Sequence, residues 1–457
     1  MLVRAFLLFL IFVFSPSVPL TAQHFPSDSE LLELITGRVD EGRATGIVVG
    51  VIEADGTRRI QAYGDAGPGA LPMSAETVFE IGSITKVFTA SLLAGMADEG
   101  LLSIDDPLQS LAPDGVTVPA SPGQMIRLVD LATHRSALPP LPENISPADP
   151  NNPYADYTVD MLYQFLNSHT LRREVGSEYE YSNLAVGLLG HLLALKSGTD
   201  YEGLVKQRIL DPLGLARTGI TLTPAMERHF ARGHDAAGNV VPYWDFSVLA
   251  GAGGLRSDMN DMLDFLEANL GEAASDLERS MRVTHQVRET AQGPNSIGLN
   301  WHVLSLGSDR IVWHNGGTAG FRSFAAFDPV RGVGAVVLSN SAHEVEDIAL
   351  HLINNRVPLA APASPRPMEI EVAIDVMERY VGVYDLAPGV QITVTMGDSG
   401  LEFQATNEPK FPMFAMSNMR FFLKVSDVQI EFVVDGIEAT ALVLHVGGAS
   451  PRATKIR

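Results

Sequence analysis

Stretches of β-rich sequence stand at both ends of a long helical region, and this arrangement restricts the possible folds more than any other feature. Residues 46–53 and 58–63 are rich in β-formers and are separated by Asp55-Gly56, a dipeptide typical of hairpin turns. The apolar spacing of residues 83–100 and 184–195 predicts helices. The later β-rich runs cover residues 310–314, 321–327 and 334–338. If early and late strands share one antiparallel sheet, this part of the chain is an α+β domain whose sheet is flanked by helices.

A proline- and alanine-rich segment, residues 357–368, predicts a linker between this region and the rest of the chain. Beyond it, residues 369–457 contain short runs in which apolar and polar side chains alternate. Such alternation is typical of half-buried strands, so we expect a second, all-β domain that forms a small barrel or sandwich.

The N-terminus has the features of a secretory signal peptide. Met1 to Arg4 is a short positive region, and Ala5 to Phe14 is an apolar run too short to span a bilayer comfortably. A small-residue exit follows and ends at Ala22 and Gln23. We therefore expect residues 1–23 to be removed, the protein to be exported, and no membrane span to remain. An uncleaved N-terminal anchor is the alternative.

Composition excludes several classes of partner. The formal net charge is −22 at pH 7, which disfavours binding to nucleic acid and to anionic membranes. The chain has no cysteine, so disulfides, thiolate catalysis and cysteine zinc sites are excluded. No His-Glu-x-x-His, P-loop or dinucleotide fingerprint is present, and we expect neither a metal nor a cofactor.

Ser83 and Lys86 form the first of three short patterns that together suggest acyl transfer. Of six lysines, only Lys86 has a serine three residues before it. At the start of a helix this spacing puts the amine within reach of the hydroxyl, and the Ser83 N–H faces where an oxyanion would develop. Burial and the positive helix end lower the pKa of such a lysine, so it can accept the serine proton. A capping serine beside a solvated lysine is the structural alternative.

Tyr181 and Asn183 form the second pattern, just before a predicted helix. The tyrosine can pass a proton to a leaving group, and the asparagine can bind either the lysine or a substrate amide. An aromatic core residue followed by an asparagine N-cap explains the same residues without a function.

His314-Asn315-Gly316-Gly317 is the third pattern, on a predicted strand. Glycine leaves the backbone open for an extended substrate, and the Gly317 N–H is a candidate second oxyanion donor. A hairpin turn beside a satisfied histidine is the alternative. His445-Val-Gly-Gly448 has the same pattern, and we interpret it as a turn in the C-terminal domain.

Together with longer segments, these patterns resemble the serine β-lactamase and penicillin-binding-protein family, in its class C branch with DD-peptidases, D-aminopeptidases and esterases. The segments are Phe79-Glu-Ile-Gly-Ser-Ile-Thr-Lys86, Leu131-Ala-Thr-His134, Asp211-Pro-Leu-Gly-Leu215 and Gly253-Gly-Leu-Arg-Ser257. The resemblance implies a β-lactamase/transpeptidase-like domain over residues 24–356. Tyr380-Val-Gly-Val-Tyr384 and Phe421-Phe-Leu-Lys424 resemble an appended lipocalin-like β domain.

The resemblance also implies roles for the residues of the three patterns. Ser83 would be the acylated nucleophile, Lys86 and Tyr181 its bases, and Asn183 a ligand of substrate or lysine. His314 would hold the third-motif position, where class C β-lactamases carry lysine. Because histidine is mostly neutral at pH 7, we expect hydrolysis of esters or D-amino-acid amides and peptides ahead of β-lactams. A penicillin-binding or sensor module that acylates slowly, or binds peptidoglycan-like peptides without turnover, is the alternative function.

Overall fold

The computed structural model describes residues 24–307, 309–361, 369–387, 390–397, 400–406, 410–423, 428–445 and 450–456. The predicted signal peptide and most of the predicted linker lie outside these residues. The chain divides into two compact units, of which the first ends at Ala360 and the second begins at Ala361.

Helices and strands follow in this order. The α-helices are α1 Asp28–Asp40, α2 Thr85–Asp98, α3 Leu128–Ala132, α4 Val159–Ser168, α5 Asn183–Ser197, α6 Tyr201–Val205, α7 Asp211–Leu213, α8 Pro224–His229, α9 Met259–Glu267, α10 Asp276–Thr284, α11 Glu346–Ile353 and α12 Ile374–Met377. The strands of the first unit are β1 Gly46–Ile52, β2 Arg58–Gly64, β3 Phe79–Glu80, β4 Ala120–Ser121, β5 Gln124–Met125, β6 Gly233–His234, β7 Val240–Val241, β8 Arg256–Ser257, β9 Glu289–Thr290, β10 Asn295–Ile297, β11 His302–Leu306, β12 Asp309–Gly317, β13 Arg322–Asp328 and β14 Val333–Ser339. The strands of the second unit are β15 Gly382–Ala387, β16 Val390–Gly397, β17 Gly400–Ala405, β18 Phe411–Ala415, β19 Arg420–Leu423, β20 Gln429–Asp435, β21 Glu438–His445 and β22 Arg452–Lys455. In the described part of the chain, no helix has both the length and the apolar character needed to cross a bilayer.

The early hairpin and the late meander do join one antiparallel sheet, which confirms the predicted fold class. The strand order is β2-β1-β14-β13-β12-β11-β10-β9. The join is the pairing of β1 with β14, in which Ile47 lies opposite Ser339.

Helices cover both faces of the central strands. Along β1, residues such as Val49 pack in one apolar cluster with residues of α1 and α11. Their neighbours, such as Val48, join a larger cluster with residues of α2, α5 and α9. Successive strand side chains point to opposite faces, so a strand covered on both sides is apolar throughout, as Gly46–Ile52 is.

Glycines let a short 3₁₀ segment, Ser247–Ala252, pack closely against α5. A Cβ atom on Gly190 would lie 3.0 Å from the Cα atom of Gly251, and one on Gly187 would lie 2.8 Å from the Leu249 side chain. This close approach brings the carbonyl group of Ala252 to the buried side of α2, where Lys86 lies.

The second unit is a closed antiparallel barrel in which each strand from β15 to β22 pairs with the next, and β15 pairs with β22. Aromatic rings fill its interior: the rings of Tyr380 and Phe432 stack with centroids 4.2 Å apart, and Phe421 packs edge-on against Phe432. Both buried tyrosines are satisfied, since Tyr384 donates to the Tyr380 carbonyl and Tyr380 donates to the Asn418 carbonyl, each at 2.7 Å. The predicted barrel-like domain is therefore confirmed, as a closed barrel.

Candidate active site

Ser83 lies in a tight turn between a short strand and a buried helix. β3 pairs with β8 and leads into the 3₁₀ turn Gly82–Ile84, from which α2 continues. The sequence predicts Ser83 at the start of the helix, and the structure places it inside this preceding turn. Gly82 makes the turn possible: its φ is +49°, and a Cβ atom there would lie 2.8 Å from the Gly317 nitrogen. The Ser83 side chain remains partly exposed.

Lys86 is fully buried one turn along and makes three polar contacts. Its Nζ atom lies 2.9 Å from the Ser83 hydroxyl, 2.7 Å from the Asn183 Oδ1 atom and 2.6 Å from the Ala252 carbonyl oxygen. Two of these partners can only accept hydrogen bonds. A neutral amine has two N–H groups, one for each, which leaves its lone pair for the Ser83 hydroxyl. The geometry therefore suits a lysine that accepts the serine proton.

The electrostatic setting favours the same protonation state. Burial holds the pKa of Lys86 well below its ordinary value, because an ammonium loses its hydration in the protein interior. Among the residues that the structure describes, the partners of the amine are a hydroxyl, an amide and a carbonyl, and none is a carboxylate. The structural alternative of a solvated lysine is excluded.

Tyr181 lies beside both groups. The Lys86 Nζ atom is 4.8 Å from the centroid of the tyrosine ring. Burial raises the pKa of Tyr181, and a hydrogen bond with Ser83 partly offsets that rise. Tyr181 is therefore a neutral phenol at pH 7, able to accept one proton as it gives up another.

Asn183 is the first residue of α5 and contacts Lys86 directly. The N-cap of α5 is Ser182, whose hydroxyl accepts a hydrogen bond from the Ala185 N–H, so the asparagine is not the cap. The Asn183 Nδ2 atom donates to the Tyr154 hydroxyl at 3.4 Å. Of the two roles that the sequence left open, the structure places the side chain as a ligand of the lysine.

His314 is buried in β12, three residues before the strand ends. Its Nδ1 atom lies 2.6 Å from the Asn315 carbonyl oxygen, which must accept, so the proton of the neutral ring is on Nδ1. Burial, together with nearby His302 and Lys86, holds the pKa of His314 well below its ordinary value. The imidazole is therefore neutral at pH 7, as expected from the residue type.

The end of β12 offers a partly unpaired backbone edge next to Ser83. β11 begins at His302, opposite Trp313, so residues 314–317 continue past it while still pairing with β13. Gly316 is pressed against the nucleophile turn: a Cβ atom there would lie 2.0 Å from the Ile81 carbonyl oxygen. Gly317 is exposed.

The structure thus brings the three predicted patterns together. Lys86 and Tyr181 contact Ser83, and Asn183 contacts Lys86. The His314 ring is 6.3 Å from that of Tyr181, and Gly316 and Gly317 lie against the nucleophile turn.

Four other groups at the site were not predicted: the Ala252 carbonyl, Tyr154, His302 and Glu80. Glu80 is buried beside Arg256 and accepts a hydrogen bond from the Trp244 N–H at 2.8 Å. Burial raises the pKa of Glu80 to about 7. Its place three residues before Ser83, in a short β run, was the available signal. Among the described residues, no three His, Cys, Asp or Glu side chains are grouped so as to hold a metal ion.

Comparison with known proteins agrees with this fold. The β-lactamase family model matches residues 31–356, and a domain of unknown function, DUF3471, matches residues 366–454. The D-alanyl-D-alanine-carboxypeptidase/endopeptidase AmpH of Escherichia coli (strain K12) is 29% identical over 375 residues, which cover 76% of this chain and 94% of AmpH. A β-lactamase of Pseudomonas fluorescens is 27% identical over 331 residues, 65% of this chain and 88% of that protein. The crystal structure of a class C β-lactamase from Rhodobacter sphaeroides is 25% identical, with a TM-score of 0.59, and covers 69% of this chain and 94% of that one.

The helix-flanked antiparallel sheet and a buried lysine beside a serine hydroxyl define a serine hydrolase that works through an acyl-enzyme. The chain belongs to the β-lactamase family and carries an additional C-terminal barrel domain.

Proposed function

We propose that this protein hydrolyses an acyl substrate through an ester formed on Ser83. The Ser83 oxygen attacks the substrate carbonyl carbon while its proton passes to Lys86. The bond to the leaving group then breaks, and Tyr181 delivers a proton to that group. Water, deprotonated by the same residues, cleaves the ester and restores the serine. The observation that carries the proposal is the set of three contacts of the Lys86 amine, which directs its lone pair at the hydroxyl.

The N–H groups of Ser83 and Gly317 are proposed as the oxyanion donors. Support comes from the close packing of the nucleophile turn on the end of β12, where Gly82 and Gly316 leave no room for a Cβ atom. Donors fixed in advance stabilise a developing oxyanion without reorganisation. The partly unpaired edge from His314 to Gly317 would bind the extended part of a substrate.

We infer that the substrate is an ester or a D-amino-acid amide or peptide, ahead of a β-lactam. A neutral, buried His314 provides no fixed cation for a β-lactam carboxylate. The name of AmpH, a relative, describes a D-alanyl-D-alanine carboxypeptidase and endopeptidase. Rates on a chromogenic cephalosporin, a p-nitrophenyl ester and a D-alanyl anilide test this order. A cephalosporin rate well above the other two would reverse it.

We further propose that residues 1–23 direct export and are cleaved, that residues 24–356 form the hydrolase domain, and that residues 357–368 link it to residues 369–457. The charged start and the apolar run of the first fourteen residues support export. N-terminal sequencing of the protein secreted by a bacterial host tests the cleavage. A retained Met1 would contradict it.

Intact mass after incubation with a fluorophosphonate and with a penicillin tests the acylation itself. We expect a single adduct on the wild type and none on Ser83→Ala. Ser177→Ala, which changes an exposed serine, should label like the wild type. The same adduct on Ser83→Ala, or no adduct on the wild type, would refute the proposal. A penicillin adduct that persists for hours, without ester turnover, would instead support a penicillin-binding or sensor module.

A further inference from the structure

His134 holds the backbone on both sides of Tyr181. The carbonyl oxygen of His134 accepts a hydrogen bond from the Glu180 N–H at 2.9 Å. Its ring Nδ1 atom accepts another from the Ser182 N–H at 3.1 Å. The residue between these two donors is Tyr181. One residue thus binds the N–H groups of the two residues next to the proposed proton donor.

The His134 ring also packs on the tyrosine side chain. The two ring centroids are 4.5 Å apart with an interplanar angle of 32°. His134 is only 1% exposed, so this face of the Tyr181 ring is closed to solvent. The phenol therefore has little freedom to rotate away from Ser83 and Lys86.

The loop that begins at His134 also forms hydrogen bonds with the residues that follow Tyr181. The Pro139 carbonyl accepts from the Ser182 hydroxyl at 2.7 Å, and the Pro140 carbonyl accepts from the Asn183 N–H at 3.0 Å. Tyr181 and the start of α5 at Asn183 are thereby held by one loop, with His134 as its first residue.

The backbone of His134 is left-handed, with a φ of +56°. Among residues other than glycine, asparagine, aspartate and histidine adopt this conformation most readily. Residue 134 therefore has to tolerate the left-handed region and to carry a hydrogen-bond acceptor at the position of Nδ1, next to the Ser182 N–H. Because Nδ1 accepts, the proton of the neutral ring is on Nε2.

We propose that His134 is a positioning residue for acyl transfer, whose Nδ1 acceptor holds the Ser182 N–H so that the Tyr181 hydroxyl stays beside Ser83. This inference rests on the proposed function, since it assigns the support of a residue in that mechanism. The residue acts through Tyr181 and does not itself contact the reacting atoms.

Two substitutions of His134 by amide side chains of different length test the proposal. In His134→Asn the side-chain oxygen falls near the position of Nδ1 and the residue still suits the left-handed backbone. In His134→Gln the same amide reaches the position of Nε2 and cannot bind the Ser182 N–H. We expect His134→Gln and His134→Leu to lose about 10²-fold in acylation rate, a typical effect of a misplaced catalytic group. His134→Asn should acylate at least tenfold faster than His134→Gln.

The readouts separate positioning from a general loss of folding. The KM for a p-nitrophenyl ester should change little in each variant, while kcat falls in the order wild type, Asn, Gln. Far-UV circular dichroism and thermal melting identify any variant that fails to fold, and the Asn and Gln pair decides the matter if Leu does not fold. His191→Asn, which changes a histidine on the far part of α5 that binds Tyr163, is the matched control and should keep the wild-type rate.

Equal rates for the Asn and Gln variants, or a wild-type rate for Leu, would overturn the role of His134 while leaving the proposed function intact. A wild-type protein that does not acylate at all would instead remove the proposed function, and this inference with it.

Discussion

The two units of this protein bury different kinds of side chain. Among the described residues, every buried polar or charged side chain lies in the first unit, including Lys86, His134, His314 and Glu80. The buried residues of the barrel are apolar, apart from two tyrosines whose hydroxyls are bonded to backbone carbonyls. Both interiors are well packed, yet among the described residues only the first unit buries an amine, carboxyl groups and imidazoles.

This difference indicates where chemistry is located. Burying an amine or a carboxyl costs free energy that an apolar side chain would not. Groups whose pKa values are shifted by burial are concentrated at functional sites for that reason. In the described part of the barrel no amine, carboxyl or imidazole is buried, whereas the first unit has the interior of an enzyme.

The largest expected effect comes from removing the buried amine. Lys86→Met keeps the length of the side chain but has no proton acceptor, and we expect acylation of Ser83 to slow by about 10³-fold, as for other general bases. Lys196→Met, at an exposed position on α5, is the control. The measurement is the rate of fluorophosphonate labelling by intact mass. Labelling at the wild-type rate in Lys86→Met would show that the polar interior is not the source of catalysis.

A smaller effect is expected from filling the space between the nucleophile turn and β12. In Gly316→Ala the new methyl group would meet the Ile81 carbonyl oxygen and the Ser323 hydroxyl, at 2.0 and 2.3 Å. We expect a loss of 1–3 kcal/mol in stability, as in other overpacked interiors, and about 10²-fold in acylation. Unfolding in urea and labelling kinetics measure the two effects.

Gly95→Ala is the matched control for this change. Gly95 lies in α2, the helix of Lys86, and a Cβ atom there has nothing within 4 Å. Alanine should raise stability by about 0.5–1 kcal/mol through helix propensity and leave acylation unchanged. If both alanine variants behave alike, the close packing of Gly316 has no role.

The buried Glu80 predicts a pH-dependent stability. Its pKa is raised from the ordinary value to about 7 by burial, against the opposing influence of Thr318, Arg256 and the Trp244 N–H, with Asp245 adding to the rise. The folded state therefore binds the proton more tightly than the unfolded state. The stability contributed is complete below the ordinary carboxyl pKa and is lost as pH rises through about 7.

Glu80→Gln removes this titration while keeping an acceptor for the Trp244 N–H. Between pH 5 and its folded pKa of about 7, the wild type loses about 1.4 kcal/mol of stability per pH unit. We therefore expect Glu80→Gln to be more stable relative to the wild type at pH 8 than at pH 5, by about 3 kcal/mol. Unfolding in urea at both pH values gives the difference. Glu178→Gln, at an exposed carboxylate, should show the same difference at both. A constant difference for Glu80→Gln would argue against a buried, titrating carboxyl.

The smallest effect on acylation is expected from the barrel. Phe432→Ala opens a cavity among the stacked rings and should destabilise the second unit by about 3–5 kcal/mol. The rate of Ser83 labelling should stay at the wild-type value, and Ile437→Ala, at an exposed position, should change neither. Calorimetry and labelling on the same samples measure both. A fall in labelling that parallels the barrel transition would contradict the division of roles.

Much of the first unit could be predicted because its signals are local. The periodicity of apolar residues predicts the strands and helices. The Ser-x-x-Lys and Tyr-x-Asn spacings predict Ser83, Lys86, Tyr181 and Asn183 as site residues. The carbonyl of Ala252 could not be predicted, since a main-chain group has no signature in the sequence and reaches Lys86 only through long-range glycine packing. The cap of α5 was ambiguous locally, because Ser182 and Asn183 are both good capping residues, and tertiary contacts decide for Ser182.

The pairing of β1 with β14 also sets the order of events during synthesis. Ile47 leaves the ribosome early, and its partner Ser339 follows about 290 residues later. Until then one edge of β1 has no neighbour, and pairings so distant in sequence form slowly. In the barrel, by contrast, nearly every strand pairs with the one made just before it. The sheet of the first unit can therefore be completed only late in synthesis. Until then its unpaired strand edge makes this unit the one more exposed to aggregation.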